Sequence, residues 1–314
     1  MKRLFIFLFA LVLPVLLVTG CENKEPDFKE THLTFTDSAQ RSVSLPKNPE
    51  RVAVLFSSYA EMVLLAGGSV DVTVGESVER GFADADTPLV DNGAGKSINA
   101  ELLLAQRPDF VIGSYDIAAH RELCETLDEA GVTNALFRVE SFEDYASVMK
   151  ILCQVFDSPD MYRENVVSVE KQIKDVLAKL PQGEEKKNIL FIRCASGERA
   201  TKAKDKTTSF VCRMLDEMNT HNIASDAPLL LEGLSIEHII MNSPDFIFFS
   251  TMGDEDAAKE YMTHLLDSDE WQAVDCVKNK NYAFLPKELF QYKPNGRWHT
   301  AYRYLAELLY GEIE

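Results

Sequence analysis

The chain has 314 residues, with 32 Lys and Arg against 50 Asp and Glu, six Cys and 46% hydrophobic residues, so its formal charge is −18. At roughly 100–200 residues per domain, this length predicts two domains or one large one. The acidity excludes nucleic acid or an anionic lipid surface as the main partner, because both need a basic footprint. The hydrophobic content excludes a disordered acidic chain.

Lys2 and Arg3 precede an apolar run from Leu4 to Val18, too short for the roughly 20 residues of a spanning helix and of signal-peptide length. Val18-Thr19-Gly20-Cys21 follows. It resembles a bacterial lipobox, in which the cysteine becomes the first mature residue and carries lipid. Residues 1–20 are expected to be a lipoprotein signal peptide, Cys21 the lipidated residue and 21–32 a polar tether. The protein is then expected on the extracytoplasmic face of a bacterial cell membrane, periplasmic or cell-surface, held there only by its lipid. Losing residues 1–20 removes two cations and no acid, which takes the charge to −20. Five cysteines remain, and no C-x-x-C spacing marks zinc or redox chemistry. A Cys124–Cys153 bridge and a set of buried free thiols both remain open.

His32 to Leu45 alternates apolar and polar residues about Asp37-Ser38-Ala39-Gln40, which predicts a β-hairpin. Short β-branched runs then alternate with helical patterns. Strands are predicted at 51–55, 70–74, 110–112 and 135–139, with helices at 59–66, 118–130 and 142–156. This is the alternation of a parallel, doubly wound sheet. Residues 159–180 carry one long helical period, with Val166, Val169, Ile173, Val176 and Leu180 in an apolar stripe, stopped at Pro181-Gln182-Gly183. Strands then recur at 189–193, 246–249 and 282–285, and helices at 210–218, 236–241, 257–266 and 298–309. The prediction is an α/β protein of two doubly wound three-layer lobes, 33–157 and 184–314, joined by a single long helix at 158–183.

An internal repeat supports two lobes built alike. Asn99-Ala100-Glu101 and Ser235-Ile236-Glu237 each place a capping residue two before a Glu. Six residues separate each Glu from Pro108-Asp109 or Pro244-Asp245, each running into an apolar strand. Both segments read as a short capped helix stopped by a proline turn.

Together with Lys47-Asn48-Pro49-Glu50-Arg51-Val52, Ala273-Val274-Asp275-Cys276-Val277-Lys278-Asn279 and Lys293-Pro294-Asn295-Gly296-Arg297-Trp298, the chain resembles the substrate-binding lipoproteins of ABC importers for iron complexes and cobalamin. The resemblance runs from about Leu33 to Gly311. It implies a bilobal class III binder that takes a ferric siderophore, haem or corrinoid, acts as a monomer, performs no chemistry and needs no cofactor. It also implies delivery to a permease dimer with a cytoplasmic ATPase. Glu101 and Glu237 match the two glutamates that dock onto permease arginines, and a first-turn carboxylate is well placed to take a bidentate Arg.

Ligands in doubly wound sheets bind at the carboxyl ends of strands. The loops there contribute Ser57, Ser58, Tyr59, Phe82, Ser114, Tyr115 and Arg138 from the first lobe. The second contributes Arg193, Lys202, Lys204, Met252, Phe290, Tyr292 and Trp298. Aromatic rings suit a flat ligand, and Arg offers a fork for carboxylate or phenolate oxygen. Arg193, ending a predicted buried strand, is the leading candidate. Trp298 and Tyr292 also suit a role in packing the last helix.

Gly93-Ala94-Gly95-Lys96-Ser97 superficially suggests a P-loop, but Val90 stands where its first glycine belongs and no apolar strand precedes it. There is no G-x-S-x-G elbow for a secreted hydrolase. A receptor for free zinc or manganese would need clustered histidines and carboxylates, whereas the six His are scattered.

Overall fold

The computed structural model describes residues 31–91, 97–181 and 185–313. The signal peptide, Cys21, all but the end of the tether and Gly93 to Lys96 lie outside the described residues.

The chain opens with a hairpin, β1 (His32–Thr36) against β2 (Ser42–Pro46). Its turn is fixed by Asp37, which accepts hydrogen bonds from Ala39 N and Arg41 N at 2.9 Å and pairs with the Arg41 guanidinium at 2.7 Å. Asp37 also accepts from Leu136 N, which fastens the hairpin to the first sheet.

That sheet is parallel, ordered β3 (Val52–Val54), β4 (Phe110–Ser114), β5 (Thr133–Phe137). The strand predicted at 70–74 is reduced to bridges at Val72 and Thr73, which extend the sheet beyond Ala53. The helix Ser57–Leu65 ends in a Schellman motif: Gly67 N donates to Leu64 O, Gly68 N donates to Val63 O, and Gly67 adopts φ +80°. Gly68 must be glycine, because a Cβ there would lie 2.5 Å from the Phe156 ring.

In the second lobe β6 (Lys187–Cys194) is central. It pairs in parallel with β9 (Phe246–Thr251) and with β8 (Thr220–Asn222), and antiparallel with the short β7 (Lys202–Ala203). β10 (Tyr282–Phe284) completes the sheet beside β9. β7 and β8 have no counterpart in the sequence prediction, being too short to carry a period.

Side chains alternate across each strand, and the alternation sorts them into layers. Val52, Val54, Phe110 and Ile112 face a large apolar cluster, as do Ile189, Phe191 and Phe248 of the other lobe. Ala53, Leu55 and Val111 face a separate outer cluster, while Leu190, Ile192, Ile247 and Phe249 face another. Both faces of both sheets are therefore buried, which is why the strands read as unbroken apolar runs.

Between the sheets the chain is helical from Pro159 through Ala178, with a single π turn at Arg163–Val167. Its predicted stripe of Val166, Val169, Ile173, Val176 and Leu180 is buried in the large cluster. The last helix, Trp298–Tyr310, packs along it through the same cluster.

The repeat is structural. Asp109 and Asp245 each bond across to the start of the neighbouring strand, Asp109 Oδ2 accepting from Arg51 N at 2.9 Å and Asp245 Oδ2 from Asn188 N at 2.8 Å. The residues before the two prolines, Arg107 and Ser243, share a left-handed backbone with φ 50° and 41°. The caps differ. The Asn99 side chain accepts from Leu102 N as expected, but Ser235 makes no side-chain cap and instead bonds His238 Nδ1 at 2.9 Å.

All five described cysteines are free and buried, so the open question of a Cys124–Cys153 bridge resolves to thiols. Burial pushes the Cys153, Cys194 and Cys276 thiols up to about 11. Among the described residues no helix is long and apolar enough to cross a membrane.

Candidate functional site

The carboxyl ends of the strands converge on a cavity of about 800 Å³ between the two sheets. Phe56 follows β3, Ser114 and Asp116 end and follow β4, and Arg193 comes from the end of β6. The segment after Phe290 adds Gln291, Tyr292 and Lys293. A side chamber of about 170 Å³ adjoins it, sharing Arg193, Gln291 and Lys293 and adding Lys204, Ser209, Phe210 and Ser250.

Arg193 is half-buried, and among the described residues its guanidinium makes no hydrogen bond or salt bridge, the Glu140 carboxylate acting on it only at longer range. Burial lowers its pKa from the ordinary value, yet a guanidinium keeps its proton. Lys293 differs, since its Nζ pairs with Glu140 Oε1 at 2.8 Å across the cavity. Asp116 is paired from outside by Arg138 at 3.0 Å, while burial raises its carboxyl above the usual range.

Arg80 lies outside both linings and backs the lining residue Tyr292 beside the Ser57–Leu65 helix. Its Nη1 donates to Ser57 Oγ at 2.9 Å and to Ser58 Oγ at 3.3 Å, and Ser57 also hydrogen-bonds Glu76. The guanidinium lies between two rings, 4.7 Å from the Phe82 centroid and 3.9 Å from that of Tyr292. Behind it, Glu61 takes Arg80 at 3.7 Å, Arg297 at 3.2 Å and Asn295 Nδ2 at 2.9 Å. Burial raises the Glu61 carboxyl, and Arg297, Asn295 and Arg80 oppose that shift.

The sequence candidates separate into groups. Tyr59, Ser114, Arg193 and Tyr292 line the main cavity, and Arg193, Lys204 and Phe290 line the side chamber. Tyr59 is nevertheless almost fully enclosed, its hydroxyl donating to Phe137 O at 2.7 Å, so it braces the wall. Ser57 and Ser58 are fully buried and orient Arg80. Tyr115, Arg138, Lys202 and Met252 stand outside the two linings; Tyr115 stacks with Arg121, and Lys202 pairs with Arg193 in strand register. Trp298 is a correction. It is fully buried against Phe142, Tyr145 and Phe210, because its indole completes the core of the last helix and offers the cavity no surface. Sequence reasoning missed Arg80, Glu76, Glu79, Asp116, Glu140 and Lys293. Only their nearness to predicted strand ends, or to the Lys293-Pro294-Asn295-Gly296 string, could have pointed to them.

Glu101 and Glu237 both lie exposed in the first turns of their short helices.

The family described as periplasmic binding protein matches residues 52–289, most of the chain. The chain belongs to the periplasmic binding protein family. As a member of that family it has the two-lobed class III fold, in which the sheets face each other across a ligand cleft. It is 23% identical over 282 residues to the uncharacterized ABC transporter substrate-binding lipoprotein YvrC of Bacillus subtilis, covering 86% of each chain. It is 22% identical over 291 residues to the Fe(3+)-citrate-binding protein YfmC of the same organism, covering 88% of each. Among solved structures, Staphylococcus aureus SirA complexed with staphyloferrin B superposes with a TM-score of 0.69 at 15% identity, covering 90% of this chain and all of SirA.

Proposed function

We propose that this periplasmic binding protein is the lipid-anchored solute receptor of an ABC importer, capturing an iron chelate in the interlobe cavity and delivering it to the permease. The observation that carries the reading is Arg193, a half-buried guanidinium at the junction of the two chambers that makes no hydrogen bond or salt bridge among the described residues. Such a cation is costly to desolvate unless a ligand anion meets it. A cavity of about 800 Å³ lies within the usual size of small-molecule sites. The names of two similar proteins, an Fe(3+)-citrate binder and a staphyloferrin B complex, support iron chelates as the ligand class.

In this reading the lobes 33–157 and 184–314 grip the ligand about the 158–183 helix, Cys21 carries the anchor, and Glu101 and Glu237 dock the permease dimer that its ATPase drives. The lining joins charged groups to Phe56, Tyr59, Leu89, Ile117 and Tyr292, so it offers both polar and apolar surface to a chelate, a corrinoid or haem. The described cavity lining contains no histidine, which disfavours capture of free zinc or manganese.

The test is thermal unfolding of the full chain in detergent with ferric citrate, ferric siderophores, haem, cobalamin, Zn²⁺ and Mn²⁺. A bound chelate at 100 times its Kd stabilises by about 2.7 kcal/mol. Stabilisation by ferric chelates is expected, and stabilisation only by bare metal ions would overturn the reading.

A further inference from the structure

The two walls of the cavity carry opposite charge. The wall from the first lobe presents Glu76, Glu79, Asp91 and Asp116, and the wall from the second presents Arg193 and Lys293. Several of these charges are already answered inside the protein. Asp116 has Arg138, Lys293 has Glu140, Glu76 has the nearby Arg80 charge as well as the Ser57 hydroxyl, and Asp91 accepts from Gly75 N at 3.1 Å. Among the described residues that leaves one charge on each wall without a hydrogen bond or salt bridge, the Arg193 guanidinium, which feels the Glu140 carboxylate only at longer range, and the exposed Glu79 carboxylate.

The side chamber adds a constraint of size. At about 170 Å³ against about 800 Å³ for the main cavity, it suits a carboxylate-sized limb, and the larger space suits the bulk of a chelate. Arg193, Lys204 and Lys293 surround it with three cations against the single carboxylate of Glu140, while Ser209 and Ser250 add hydroxyls. The chamber therefore fits an anionic arm, and the larger cavity the rest of the ligand. A ligand anionic all round would set negative charge against the Glu79 wall, and a purely cationic one would set positive charge against Arg193; both juxtapositions are repulsive in a partly desolvated cleft.

From this polarity we infer that the ligand is a zwitterionic ferric chelate, with a carboxylate limb seated in the Arg193 side chamber and a protonated amine facing Glu79. The inference rests on the iron-chelate reading above and narrows it. Arg193 and Glu79 then set the ligand's direction in the cleft as well as its class.

The test uses the full chain in detergent and a linear ferric trihydroxamate in four end-group forms: ammonium with carboxylate, ammonium alone, carboxylate alone and neither. Ferric citrate serves as an anionic reference. Affinities are read by tryptophan fluorescence and calorimetry. The zwitterionic form is expected to bind about tenfold tighter than either single-charge form, a difference of about one decade in Kd. Glu79→Gln should erase its advantage over the carboxylate-only form, and Arg193→Gln its advantage over the ammonium-only form, each with an unchanged melting temperature. Equal or tighter binding of a single-charge form or of ferric citrate overturns the inference while leaving the iron-chelate reading intact. Failure of every ferric chelate to bind overturns both.

Discussion

The Arg80 guanidinium, held by Ser57 and Ser58 of the first lobe, lies 3.9 Å from the centroid of Tyr292, which belongs to the second. The segment from Tyr292 to Arg297 continues this contact. Asn295 donates to Ser58 O at 2.9 Å and Arg297 reaches Glu61. A strap from one lobe is thereby bonded to the first helix of the other, in addition to the long connecting helix, and the rim of the cavity is set before any ligand arrives.

The strap contact is expected to be measurable in stability. Tyr292→Ala removes a cation–π contact and should cost about 1–2 kcal/mol. Arg80→Met leaves Glu61 and Glu76 without their buried cation and should cost more, about 3–5 kcal/mol. Denaturant midpoints check the order. An Arg80→Met chain no less stable than Tyr292→Ala would show that the carboxylates do not depend on Arg80.

Both tryptophans are buried, and they report on different places. Trp298 meets Phe210, a side-chamber residue, edge-to-face with ring centroids 5.7 Å apart, whereas Trp271 belongs to the outer cluster of the second lobe. Ligand-induced quenching should survive Trp271→Phe and vanish in Trp298→Phe. Trp298→Ala should in addition cost about 3–5 kcal/mol as a core truncation.

His120 makes stability depend on acid. Its Nδ1 accepts from Ser114 N at 3.0 Å while Nε2 is buried without a hydrogen-bond partner among the described residues, and burial lowers its pKa to about 4. In the unfolded chain the imidazole takes up a proton near pH 6.5, and in the folded chain only near 4. Stability is therefore lost as pH falls through that window, by on the order of 3 kcal/mol. His120→Gln should remove this loss, so the gap between the two chains, followed by urea melts from pH 7 to pH 4, should shift toward the variant. A constant gap would contradict the assignment.

Permease docking is separable from ligand capture. Glu101→Lys with Glu237→Lys is expected to abolish uptake in cells and leave ligand affinity within about twofold, since neither carboxylate borders the cavity and distant sites act independently. Undiminished uptake in the double variant would remove both residues from the docking surface.

How much was legible beforehand follows from the reach of each interaction. The strands with both faces buried, such as β4 and β9, announced themselves as apolar runs, and the connecting helix announced itself by its stripe. These are local periodicities imposed by burial. β7 and β8 were too short to leave a period, and the strand expected at 70–74 shrank to bridges at Val72 and Thr73. The Ser235 cap failed because His238, one turn on, competes for the hydroxyl.

The sequence by itself determined the two-lobed layout, the repeat around Pro-Asp and the place of Arg193 at a strand end, because each is written in residues close together along the chain. Only the tertiary structure decided that Trp298 is core, that Ser57 and Ser58 serve Arg80, and that the cavity has one acidic and one basic wall. Those facts depend on pairings such as Arg80 with Tyr292 and Glu140 with Lys293, which are more than 150 residues apart in sequence. Spacing along a chain carries no record of such partners. They exist only once the two sheets have been brought face to face.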